Sequence, residues 1–178
     1  MKGQKYITQT QCWLKKVVIG LNFCPFAKRE VDSGSVRYSI IEGTLSECLE
    51  NLMQEVDILD AQTATETSLL IYPENFEKFD DFLDLIAYAN DLLIEQGYEG
   101  VYQLANFHPN YCFNGVAQDD PANYTNRSPY PMLHLIREES LEKAVASHPN
   151  PESIPTINVA LARKMGEEQL KKLLASCF

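Results

Sequence analysis

The sequence predicts an α/β protein, with α+β as the alternative: a mixed four-stranded sheet with helices packed on it. Three observations predict it. Apolar residues recur at helical spacing in several segments that alternate with short, strand-like apolar runs. The first three runs are separated by helical segments, as right-handed crossovers require. The third and fourth are joined by a helix-free stretch, which lets them run antiparallel. The element order is α-β-α-β-α-β-β-α-α.

Trp13, Leu14, Val17, Val18 and Leu21 place an amphipathic helix over residues 5–20. Val36 to Ile41 reads as the first strand, between Gly34 and Gly43. Thr44 and Glu47 form a capping box ahead of the stripe Leu45, Cys48, Leu49, Leu52, Val56 and Leu59. TSLLIY (67–72) is a buried strand stopped by Pro73. Phe76 to Leu93 carries a long helix that Gly97 ends. Val101 to Phe107 is the third strand and MLHLIR (132–137) the fourth. Glu138 to Ser147 is a helix halted by His148-Pro149-Asn150-Pro151, which reads as a helix stop. Pro155 opens and Gly166 closes the next helix, and Glu167 to Ser176 is the last. Residues 1–178 read as one domain, with 150–178 a C-terminal helical appendage.

Charge narrows the partners. The net charge of −10 is concentrated in residues 42–99, where fifteen acidic residues face one base, Lys78. An acidic surface repels phosphate backbones, so nucleic acid is not expected. No apolar run approaches the ~18 residues of a membrane span, and the first residues lack the apolar core of a signal peptide. A cytoplasmic location is the expectation. Five cysteines without a CxxC pair argue against a disulfide framework or a structural zinc site. Glycine loops for nucleotide phosphates are absent, and no cofactor is expected.

Two segments carry chemistry. In Cys24-Pro25-Phe26-Ala27-Lys28-Arg29, a helix starting at Pro25 makes Cys24 its N-cap, facing unpaired N–H groups beside two bases. Those conditions lower a thiol pKa. The string resembles the CPxC opening of glutaredoxins and the element order is similar to the thioredoxin-like one. Here, however, position 27 is alanine and the motif precedes the first strand. The second segment, residues 107–137, contains a long connection, 108–131, with four prolines, four asparagines and no periodicity. Unperiodic loops of that length are usually functional or disordered, and Tyr111, Phe113, Tyr124 and Tyr130 argue for order. His108 stands at a strand end and His134 within a strand. Arg127 lies in a proline-stiffened stretch with Asn126, Ser128 and Tyr130. Strand alternation puts His134 with Ile136, and Arg137 on the opposite face with Leu133 and Leu135.

The strings LNFCPFA (21–27), FHPNYCF (107–113), DDPANYTNRSPYP (119–131) and LHLIRE (133–138) together resemble a bacterial family of this length, domain of unknown function 1415. The resemblance spans essentially the whole chain. It implies that the 107–137 segment is ordered and that Cys24 is the cysteine of interest. Cys112 lies outside the family pattern. The resemblance implies no activity and no cofactor.

The leading expectation is an enzyme acting on a small anionic metabolite. Arg127 and Arg137 would bind the anion with Asn126, Ser128 and Tyr130. His108 or His134 would be the acid/base and Cys24 a nucleophile. The alternatives are a non-catalytic ligand- or protein-binding module and a monothiol redox protein using Cys24. The enzyme reading rests on the imidazole, guanidinium and thiol groups converging on one cavity.

Overall fold

A computed structural model describes residues 2–178. The four strands are β1 (Val36–Ile40), β2 (Thr67–Ile71), β3 (Tyr102–Phe107) and β4 (Met132–Arg137). The helices are α1 (Lys2–Trp13), α2 (Ala27–Ser33), α3 (Leu45–Ala61), α4 (Phe79–Glu95), α5 (Glu138–Ser147), α6 (Ile154–Met165) and α7 (Glu167–Ala175). The order of elements follows the expected one with two additions, a short helix before β1 and a third helix after β4. Among the described residues no helix is long and apolar enough to cross a membrane.

The sheet order is β1-β2-β4-β3. β1 and β2 are parallel and joined by α3; β4 runs antiparallel to both of its neighbours. The chain thus leaves β2, crosses through α4 to the far edge as β3, and returns down the gap as β4. Hydrophobicity explains which strands are central. All five residues of β2 are buried, as are Met132, Leu133 and Leu135 of β4, whereas β1 is half-buried throughout. A strand covered on both faces must be apolar on both.

Each face of the sheet has its own core. On one, Leu70, Tyr72, Leu133 and Leu135 pack under Leu52, Val56 and Leu59 of α3 and Phe82, Leu85 and Ala89 of α4. The capping box at Thr44 and Glu47 starts α3 as expected. On the other face, Leu69, Ile71 and Met132 lie under Trp13, Leu14, Val17 and Val18. Ala162 of α6, Leu170 of α7 and Cys177 complete this second core.

α1 does not end at Trp13. It continues as a π-helical turn, Leu14–Ile19, that buries Leu14, Val17 and Val18. The wide turn is closed by Gly20, where a Cβ would stand 2.3 Å from the Lys16 carbonyl oxygen. Asn22 then takes a left-handed conformation (φ 54°), and the N–H groups of Phe23 and Cys24 return to the Val18 carbonyl at 2.9 and 3.5 Å. This reversal delivers Cys24 to the second core. Gly20→Ala is expected to lower stability by about 1–3 kcal/mol through overpacking against backbone. A urea unfolding midpoint matching wild type would contradict that role for Gly20.

Candidate functional site

The 108–131 connection is ordered by its own buried polar side chains. His108 is fully buried. Its Nε2–H donates to the Phe76 carbonyl at 2.8 Å, and Nδ1 accepts the Asn110 N–H at 2.9 Å. A carbonyl can only accept, so the proton sits on Nε2 and both nitrogens are engaged. The ring lies against Phe79 and Phe82, at 5.1 and 5.3 Å between centroids, and burial pulls its pKa down. Phe76, held by this bond, has φ 58°, a left-handed conformation that bulky residues seldom adopt. The His108 N–H donates to the Asn126 carbonyl at 3.2 Å, closing the connection on itself.

Asn123, fully buried, does the same work further along. Its Oδ1 accepts from Phe113 N–H at 3.0 Å, and its Nδ2 donates to the carbonyls of Ala117 (2.8 Å) and Gln118 (3.3 Å). Arg127 is 8% exposed. Its Nε donates to Tyr111 O at 3.2 Å and an Nη to Gln118 O at 2.7 Å, and the guanidinium lies 4.6 Å from the Tyr124 ring centroid. Its own carbonyl accepts from Trp13 Nε1 at 3.0 Å. Ser128, fully buried, donates to Tyr130 O at 2.6 Å. Asp120 caps the 3₁₀ turn Pro121–Thr125 through Ala122 N–H and pairs bidentately with Arg163 of α6, at 2.8 and 3.1 Å. Asp120, and not Arg127, therefore carries the connection's ion pair.

A cleft of about 290 Å³ opens between this connection, the Val18–Cys24 reversal and α6. Cys24 and Asn126 line it, with Thr125 beside Asn126, Asn158 and Val159 from α6, and the rings of Phe23, Phe107 and Phe113. Among the described residues no charged side chain lines it. Asn126 donates through Nδ2 to Asn106 O at 3.2 Å; the single proton of Thr125 Oγ1 is shared between Ala122 O at 2.9 Å and Asn126 Oδ1 at 3.0 Å, which leaves the amide one N–H and at least one lone pair. A broader groove of about 640 Å³ lies on the other side of Phe113, between α4 and Asn110–Asn114.

Cys24 is not a helix N-cap. Cys24-Pro25-Phe26 forms a turn closed by Ala27 N–H on Cys24 O at 3.3 Å, and α2 begins at Ala27. The N–H groups of Phe26 and Ala27 still face the sulfur, but burial outweighs them and pushes the thiol pKa up. Lys28 pairs with Asp32, and Arg29 is directed to Glu30.

Of the residues expected to meet, the cleft gathers Cys24 and Asn126. His108, Arg127 and Ser128 point into the connection. Tyr130 faces α1, where its hydroxyl donates to Gln9 Oε1 and its ring meets Tyr6 and Phe178. His134 and Arg137 lie farther along β4, on opposite faces as alternation predicts. Thr67 Oγ1–H donates to Leu135 O at 2.6 Å, so His134 Nε2–H donates to Thr67 Oγ1, also at 2.6 Å. Desolvation pushes His134 down to about 4. Arg137 donates to the carbonyls of Leu59 and Thr65 and to Tyr102 Oη at 3.0 Å, and Tyr102 Oη donates to Asp60 at 2.6 Å. It secures the end of α3.

Asn123 and Asn158 escape sequence reasoning. Asn123 offers only a glycosylation-type triplet, and Asn158 sits within an ordinary helical pattern. The two HPN strings are more alike than the sequence suggests. His148 halts α5, and its Nδ1 accepts Asn150 N–H at 3.2 Å, the turn that His108 and Asn110 make. Only the first is buried among aromatic rings.

His108→Ala and Arg127→Ala are each expected to cost roughly 2–4 kcal/mol, because each strands buried backbone groups. Urea unfolding checks this; losses under about 0.5 kcal/mol would mean that neither side chain holds the connection. For His134 the folded pKa of about 4 lies below its ordinary 6.5. The unfolded chain therefore binds the proton first, and stability falls as pH drops from 6.5 to 4, levelling below. The loss is about 2 kcal/mol, solvent at the half-buried ring screening part of the shift. His134→Gln is expected to flatten this slope, and an unchanged slope would assign it elsewhere.

No curated protein and no solved structure matches the chain. A family model described as "Protein of unknown function (DUF1415)" matches residues 5–172. The chain belongs to that family.

Proposed function

We propose that the protein is a ligand-binding module that holds a small, neutral, mainly apolar molecule in the cleft between Cys24 and Asn126. The observation that carries this reading is the cleft's lining: aromatic and aliphatic walls, no charged group, and an Asn126 amide with one donor and one acceptor unspent. That pair complements an amide, a carboxamide or a hydroxyl group. A volume of about 290 Å³ suits a molecule at the small end of the range that pockets accept.

The acid–base reading asks for an imidazole that takes up a proton near neutrality and an arginine fork turned to the substrate. His108 has both nitrogens in hydrogen bonds, burial pushes His134 down to about 4, and Arg127 is 8% exposed and turns its Nε and one Nη to loop carbonyls. The monothiol reading asks for a lowered thiol pKa, and burial moves Cys24 the other way. These features support the binding reading over its two rivals.

The test is a screen of neutral fragments by amide chemical-shift perturbation, with Val159→Trp as the cleft-filled control. Hits are expected to perturb Phe23, Cys24 and Asn126, to slow iodoacetamide labelling of Cys24, and to vanish in Val159→Trp. The labelling rate is expected to rise with pH to a midpoint above the ~8.5 of a free thiol. Hits that persist in Val159→Trp, or none at the cleft, overturn the binding reading; a midpoint below 8.5 restores the redox one.

A further inference from the structure

The two ends of the chain meet over a pair of sulfurs. Cys12 lies on α1, and Cys177 lies two residues beyond α7. Lys16, one turn past Cys12, donates from Nζ to both the carbonyl and the hydroxyl oxygen of Ser176 at 3.0 Å. Phe178 packs on Tyr130 at 6.1 Å between centroids, and Tyr130 in turn bonds Gln9, three residues before Cys12. Ser176 and Phe178 are thus held on either side of the α1 surface that carries Cys12, and Cys177 is set down between them. Both cysteines belong to the second core; the Cys177 thiol donates to Leu173 O at 3.8 Å, and Cys12 lies close enough to help raise its pKa. Cys12 is partly exposed and Cys177 buried, and neither is in a disulfide.

We propose that Cys12 and Cys177 form a redox-modification site, closed into an intramolecular disulfide by an oxidant of the peroxide class. Cys12 is the sulfur that an oxidant reaches. Cys12 releases its proton to solvent and its thiolate attacks a peroxide oxygen: an S–O bond forms, the O–O bond breaks, and hydroxide leaves and takes up the proton that Cys12 released, giving water. Cys177 gives up its proton and attacks the oxidised sulfur: the S–S bond forms, the S–O bond breaks, and the oxygen leaves as water. In sum, two thiols and one hydrogen peroxide give one disulfide and two waters. The peroxide is reduced and both sulfurs are oxidised. Cys12 is the more exposed of the two sulfurs and so the first to react; burial, with the neighbouring Cys12, pushes the Cys177 thiol up to about 11 against the pull of the Lys16 ammonium, which suits the resolving partner. The proposal uses none of the residues of the cleft and stands or falls apart from the binding reading.

The bond would join residue 12 to residue 177 and close nearly the whole chain into a loop. Cross-links over long loops restrict the unfolded state most. The experiment treats the full chain with hydrogen peroxide, blocks free thiols with N-ethylmaleimide and digests with trypsin. Expected is a dithiothreitol-sensitive link between peptides 6–15 and 173–178, absent in Cys12→Ser and retained in Cys112→Ser. Oxidised wild type is expected to melt roughly 5–15 °C higher than reduced, with no such shift in Cys177→Ser. Free, alkylated Cys12 and Cys177 after oxidation overturn the proposal. So does a different pairing, a link between two chains, or oxidation of Cys12 to acids without the bond.

Discussion

The fold depends on how an irregular connection satisfies its own backbone. β3 and β4 are adjacent and antiparallel, yet 24 residues lie between them, with no regular element beyond one 3₁₀ turn. Such a stretch must find partners for its buried N–H and C=O groups or stay in water. His108, Asn123, Arg127 and Ser128 supply them from inside. His108 reaches across to Phe76 at the start of the α4 region, and its backbone meets Asn126 at the connection's end. Trp13 binds the Arg127 carbonyl and Arg163 binds Asp120, so α1 and α6 are placed by the same segment. One wall of the cleft is built by this arrangement.

The same arrangement decides what chemistry is left at the surface. Burying a charge costs more than burying a neutral polar group unless partners surround it. Arg127 meets this cost with two carbonyls and the face of Tyr124, not with a carboxylate. His108 meets it by staying neutral. Groups that look like a catalytic set in one dimension are therefore spent on holding the chain. The cleft that results has aromatic walls and an asparagine, and its thiol is kept protonated by burial.

Much of the secondary structure is legible in the sequence because it depends on local periodicity and turn chemistry. The Thr44 capping box, the stop at Pro73 and the opposite faces of His134 and Arg137 are of that kind. The start of α2 is not. Pro25 is compatible with a helix start, but the return of Phe23 and Cys24 to the Val18 carbonyl pulls Cys24-Pro25-Phe26 into a turn first. The π-helical turn that makes this return has no period of its own to betray it. Strand order is intermediate. The greater apolarity of TSLLI and MLHLIR over VRYSI and YQLANF marks the first two as central, but says nothing of which edge strand flanks which.

What the sequence determined alone is most of the elements, their amphipathic faces and the existence of one long, polar-rich connection. Each follows from interactions between residues a few positions apart. Which polar side chains turn inward was decided only by the tertiary structure. The carbonyls that the side chains of His108, Arg127 and Arg137 bind lie 9 to 78 positions away, brought close by the sheet and not by spacing. The same long-range closure puts Cys24 and Asn126 on one cleft and brings Cys177 into the core region of Cys12 from the opposite end of the chain.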